Sequence, residues 1–133
     1  MKPFSYLLYT ACVLSFYSCR DKPQSASLEP IAGKGGNATV NIVSKHHGKN
    51  IDSIIVYIKY NTQDAAIAYD DSAKAIIKIN QPTSTFTNLR AGKYYIYGQG
   101  WDPTIVSKVK GGIPYTISEE KQLSITLPVT ETH

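Results

Sequence analysis

The segment Phe86–Asp102, FTNLRAGKYYIYGQGWD, constrains the fold more than any other. Two apolar residues, Phe86 and Leu89, run into a turn centred on Gly92, and Lys93-Tyr94-Tyr95-Ile96-Tyr97 follows at once. Period-two alternation belongs to a half-buried strand. Glycine at the turn supplies the positive φ that a sharp corner demands. The segment predicts the corner and central strand of a small antiparallel sandwich. Tyr94 and Ile96 share its inner face, and Tyr95, Tyr97 and Gln99 the outer.

The same alternation recurs on both sides. Ala38, Val40 and Ile42 line one face of a first strand, which ends in a polar turn around Gly48. In the next run, Ile54, Val56 and Ile58 face inward, with Ile55, Tyr57 and Lys59 outward. Residues 65–72 read as a loop or an edge strand, because Asp70-Asp71-Ser72 is turn-like. Lys74–Asn80 reads as a strand ended by Gln81-Pro82. Thr104–Lys110 is an edge candidate, and Gly111-Gly112 reads as a break. Ile113, Tyr115 and Ile117 then alternate, and Leu123, Ile125, Leu127 and Val129 share one face of the last strand. Short strands at roughly eight-to-twelve-residue spacing, punctuated by Gly, Pro and Asp, predict an all-β fold: a small antiparallel β-sandwich of about seven strands.

A chain of 133 residues holds one domain and short tails. Its apolar positions are rich in Ile, Val and Tyr, which favours strands. The net charge of +4 is spread over single lysines among acids, so no basic stripe points to nucleic acid. Cys12 and Cys19 are the two cysteines. The body beyond them has no disulfide, and its stability must come from packing.

Residues 1–18, MKPFSYLLYTACVLSFYS, have a signal peptide's form: Lys2 ahead of a compact apolar stretch too short for a transmembrane helix. Ser15-Phe16-Tyr17-Ser18-Cys19 resembles the processing site of bacterial lipoproteins of the Bacteroidetes type. The resemblance implies a lipidated Cys19 as the first mature residue, and hence anchoring to a membrane of the cell envelope, facing the periplasm or the surface. Several acyl chains, at about 0.8 kcal/mol per buried methylene, would make that anchor lasting. Residues 19–36, rich in Pro, Ser, Gly and charge, read as a flexible tether, with Gly35-Gly36 as the boundary of a domain over 37–130 and a tail at 131–133.

ATVNIV, IDSIIVYI, the corner segment and LSITLPV together resemble the transthyretin-like (prealbumin-like) sandwiches, including the bacterial carboxypeptidase regulatory-like domains. Their shared corner is leucine, two residues, glycine, one residue, tyrosine: here Leu89, Gly92 and Tyr94. The resemblance implies a fold but no activity, since such domains serve as spacers, partner-binding modules and accessory domains. Some of them carry a Lys–Asn isopeptide bond. Lys45 is suitably placed for one, but the last strand, Gln122–Val129, has no Asn.

Tyr95, Tyr97 and Trp101, with Tyr57 from a neighbouring strand, are the candidate ligand-binding residues. Exposed rings stack on sugar faces or anchor a protein; equally, aromatics pack well in strands with no ligand. His46-His47 reads as part of a polar turn. Adjacent strand residues point apart and no third ligand is suggested nearby, so no metal is expected. Asp64, Asp70 and Asp71 match no calcium loop. GKGG at 33–36 lacks phosphate-loop spacing. Asp102 reads as the cap of the turn at Pro103. No catalytic constellation and no cofactor site can be assembled, so the expectation is a non-enzymatic envelope module that binds a partner protein or glycan. The alternative is a structural spacer or assembly subunit.

Overall fold

Alternation along the chain becomes ten strands in two sheets in a computed structural model, which describes residues 28–133. The expected leader, Cys19 and the first part of the expected tether lie outside the described residues. In chain order the strands are β1 (Lys34–His46), β2 (Lys49–Asn50), β3 (Ser53–Tyr60), β4 (Asp71–Lys74), β5 (Ile76–Lys78), β6 (Gln81–Leu89), β7 (Gly92–Asp102), β8 (Ser107–Ile117), β9 (Gln122–Pro128) and β10 (Thr130–Glu131). The first sheet runs β2-β1-β6-β5 with β9 also paired to β1, and the second runs β10-β8-β7-β3-β4. The protein is an all-β sandwich.

The core lies between the inner faces. Val40 and Ile42 of β1, Phe86 of β6 and Leu127 of β9 come from the first sheet. Ile54, Val56 and Ile58 of β3, Tyr94 and Ile96 of β7, and Val109 and Ile117 of β8 come from the second. Each buried aliphatic side chain contributes about 1.5–3 kcal/mol, which is how a cysteine-free body holds together. The sheets close tightly at Gly98, where a Cβ would meet Leu127 at 2.7 Å.

The corner turns at Arg90-Ala91, just before the expected centre, and Gly92 opens β7. Gly92 has φ +149°, and a Cβ there would lie 2.8 Å from Ala32. The buried Tyr94 hydroxyl reaches back to donate to the Arg90 carbonyl at 2.6 Å and accepts from the Gly33 amide at 2.9 Å. Burial raises the Tyr94 pKa, which keeps that hydroxyl a donor.

Several boundaries differ from the expectation. Gly35-Gly36 lies inside β1, not at a domain edge, and Ala32 is buried with its amide donated to the Asn61 side chain at 2.7 Å. Glu131 belongs to β10, which pairs with β8, and is not a tail. Lys74–Asn80 is not one strand. The chain changes sheets at Ala75, so β4 pairs with β3 and β5 with β6, and Ile76, Ile77 and Ile79 are exposed. Pro82 does not end a strand but lies within β6, opposite Ile77. Gly111-Gly112 sits in mid-β8, because a Cβ at Gly111 would collide with the Pro128 carbonyl oxygen. One pairing is parallel: β9 runs beside β1 from Thr39↔Gln122 to Lys45↔Pro128.

Candidate functional site

Strand pleat carries Tyr57 of β3 and Tyr95 and Tyr97 of β7 to the outer face of the second sheet, with Tyr57 directly opposite Tyr97. The rings of that pair lie 6.2 Å apart. Tyr69 joins them from the loop between β3 and β4, stacked on Tyr97 at 5.6 Å and tilted against Tyr57 at 5.7 Å. All four are half-buried. Burial, and then the neighbouring phenols Tyr69, Tyr57 and Tyr95, raise the Tyr97 pKa, so that hydroxyl keeps its proton.

The loop is clasped at its end. The Asp70 carboxylate accepts from the Tyr60 amide at 2.7 Å and from the Lys59 ammonium at 3.1 Å. Those contacts, the amide first, lower its pKa. Gln63 donates to the Thr116 hydroxyl at 2.8 Å, tying the loop across to β8. Asp71 pairs with Lys34 at 3.0 Å, so Asp70 and Asp71 hold the backbone and the surface together.

Between this loop and the sheet runs an open groove of about 660 Å³, bordered by the tyrosines, Ala65–Ile67, Gln99, Lys110, Gly111, Gly112 and Thr130. Gly112 makes part of it: Tyr95 folds its hydroxyl end over the space a side chain there would fill. Its half-buried lining is aromatic, and the exposed Gln99, Lys110 and Thr130 offer an amide, an ammonium and a hydroxyl. Such a groove can stack a ring or an extended segment and hydrogen-bond its edge.

Three of the four expected residues, Tyr57, Tyr95 and Tyr97, therefore come together. Trp101 does not join them. It is 39% exposed on the same strand, four residues beyond Tyr97 and about 13 Å further along, opposite Ser53 and Lys108. Tyr69 was not legible as a member, because its position depends on the loop's path; a tyrosine in an ambiguous segment was the one signal.

The end of the sandwich nearest β2 holds a second group. Asp102 does cap the turn at Pro103, accepting from the Thr104 amide at 2.9 Å and hydroxyl at 2.6 Å. It also bonds His46 Nδ1 at 2.8 Å. The Thr104 hydroxyl, and then His46, hold its carboxyl down at about 2. His46 and His47 do not point apart. His47 (φ 47°) and Gly48 (φ 78°) form the two-residue turn joining β1 to β2, and the left-handed backbone folds the His47 ring onto His46 with centroids 4.1 Å apart. Glu131 lies beside them.

Compared with protein-family models, curated proteins and solved structures, the chain finds no significant match in any of the three.

Proposed function

We propose that the chain is a lipid-anchored, non-enzymatic binding module that holds a glycan or protein partner at the bacterial cell envelope, anchored through Cys19. One observation carries this reading: a groove of about 660 Å³ lined by four tyrosines together with the polar side chains of Gln99, Lys110 and Thr130. An aromatic lining accepts the C–H face of a sugar ring without demanding one sequence of hydroxyls, and Gln99, Lys110 and Thr130 supply donors and acceptors beside it. A glycan segment suits that combination best. A competing reading, a spacer or assembly subunit with no ligand, draws support from Tyr69. Its stacking on Tyr97 gives that ring a partner within the chain.

The test is a glycan array and an envelope-extract pull-down with the whole chain in detergent, beside a Tyr95→Ala, Tyr97→Ala double variant of confirmed fold. Ligand retained by the native chain and lost by the variant supports recognition through the groove. No ligand for the native chain favours the spacer.

A further inference from the structure

We propose that His46, His47 and Glu131 form a binding site for a borderline divalent transition-metal ion, zinc first, with Asp102 as the outer partner that orients His46.

His46 is 2% exposed, and its two ring nitrogens have different fates. Nδ1 lies 2.8 Å from the Asp102 carboxylate, so it carries the proton that bond requires. Nε2 is buried and has no hydrogen-bond partner among the described residues. It faces Glu131 Oε1 at 4.0 Å. That spacing is too long for a hydrogen bond. In the neutral tautomer, Nε2 turns a lone pair toward a carboxylate oxygen, two acceptors with no hydrogen between them. A cation between them resolves the arrangement. Zinc bonds to nitrogen and oxygen are each about 2.0–2.1 Å, so the two atoms are close enough to share one ion once Glu131 moves inward.

The third donor comes from His47. One ligand atom from each of His46, His47 and Glu131 lies within 4.8 Å of the others. Donors in a tetrahedral site stand about 3.3 Å apart at those bond lengths, so closure needs the two outer groups to move by roughly an ångström. Both can move: His47 is exposed in a hairpin turn, and the Glu131 side chain is 38% exposed at the sheet edge. His46 cannot, and it need not. A carboxylate on the far nitrogen is the arrangement that fixes tautomer and direction in metal-ligating histidines. Two imidazoles and a carboxylate suit zinc, copper or nickel better than calcium or magnesium, which take oxygen sets. A fourth position stays open to water or to a donor from a partner.

The ligands come from different parts of the fold. His46 and His47 belong to the first sheet and its hairpin, Glu131 to β10 of the second sheet, and Asp102 to the end of β7. A bound ion would fasten the two sheets to each other and hold the last strand in place, raising thermal stability by mass action.

The experiment titrates the chain, purified without a polyhistidine tag, with zinc alone by calorimetry, and records the absorption spectrum with cobalt. His46→Ala would also strip Asp102 of a buried partner, so the surface variants His47→Ala and Glu131→Gln carry the test, their fold checked by unchanged melting in EDTA. The expected result is one ion per chain, a rise in melting temperature with zinc, and affinity weakened at least about tenfold by each variant. The cobalt spectrum should lack the charge-transfer band of a thiolate. Absence of stoichiometric binding, an affinity that neither variant changes, or a thiolate band from Cys12 or Cys19 would each overturn the proposal.

Discussion

The Tyr94 hydroxyl and the Arg90 carbonyl, four residues apart, meet at 2.6 Å, and the same hydroxyl accepts the Gly33 amide. One side chain thus ties the corner to the incoming end of β1. Tyr94→Phe keeps the ring and removes the tie, leaving a buried amide without its acceptor. Urea unfolding should show a loss of about 1–3 kcal/mol with an unchanged slope. A stability within error of the native chain would mean that the corner is held by ring packing alone.

A second prediction concerns where the folded region starts. The three shortest backbone hydrogen bonds of Ala32 and Gly33 run from the Ala32 amide to Asn61, from the Gly33 amide to Tyr94, and from the Arg90 amide to the Gly33 carbonyl. At about 1 kcal/mol each, a chain beginning at residue 37 should be at least about 2 kcal/mol less stable than one beginning at residue 28. Equal melting temperatures for the two would place the boundary at the glycine pair after all.

The adjacent glycines of β8 should differ sharply. At Gly111 a Cβ would strike the Pro128 carbonyl oxygen and the Val129 backbone, which cannot step aside without shifting β9. Gly111→Ala should cost about 1–3 kcal/mol. At Gly112 the nearest obstacle is the end of the Tyr95 side chain, which can swing outward. Gly112→Ala should stay within about 0.5 kcal/mol of native, while changing the tyrosine environment seen by near-ultraviolet circular dichroism.

Acid should loosen the corner through Glu120. Its carboxylate accepts the Ala91 amide at 3.0 Å and the Asn37 amide at 2.9 Å, and these bonds, Ala91 first, lower its pKa from the ordinary 4.5. A depressed folded-state pKa contributes stability that is fully present above the unfolded value. That contribution is lost as pH falls below about 4.5 and through the folded value. Asp70 and Asp102 titrate in the same direction, so the native chain alone is not diagnostic. Melting followed from pH 7 down to about pH 3 should fall less steeply for Glu120→Gln than for the native chain; parallel curves would assign the acid loss to other carboxylates.

How much of this was legible depended on whether a residue's position follows from its own strand. Tyr57, Tyr95 and Tyr97 could be put on one face because the pleat reverses every residue. The same rule points Ile54, Val56, Ile58, Tyr94 and Ile96 inward, and all are buried. Tyr69 was beyond reach, since a loop residue is placed by contacts such as the Asp70 clasp, remote from any periodicity. Gly111-Gly112 misled because glycine marks a break and a close approach alike, and only the neighbour, Pro128, distinguishes them. His47 misled because alternation assumes extended backbone, and its φ of 47° reverses the direction of the ring. Glu131 entered the group through the pairing of β10, more than eighty residues along the chain from His46.

The parallel pairing of β9 with β1 has a kinetic meaning. β1, the first of the described strands, waits for β9 before its pairing is complete, across an intervening chain whose closure entropy must be met first. Leu127, which seats against Gly98, arrives with that late strand. Folding dominated by such distant partners is slow. The core between the two sheets therefore stays open until β9 has been synthesised and Leu127 can seat.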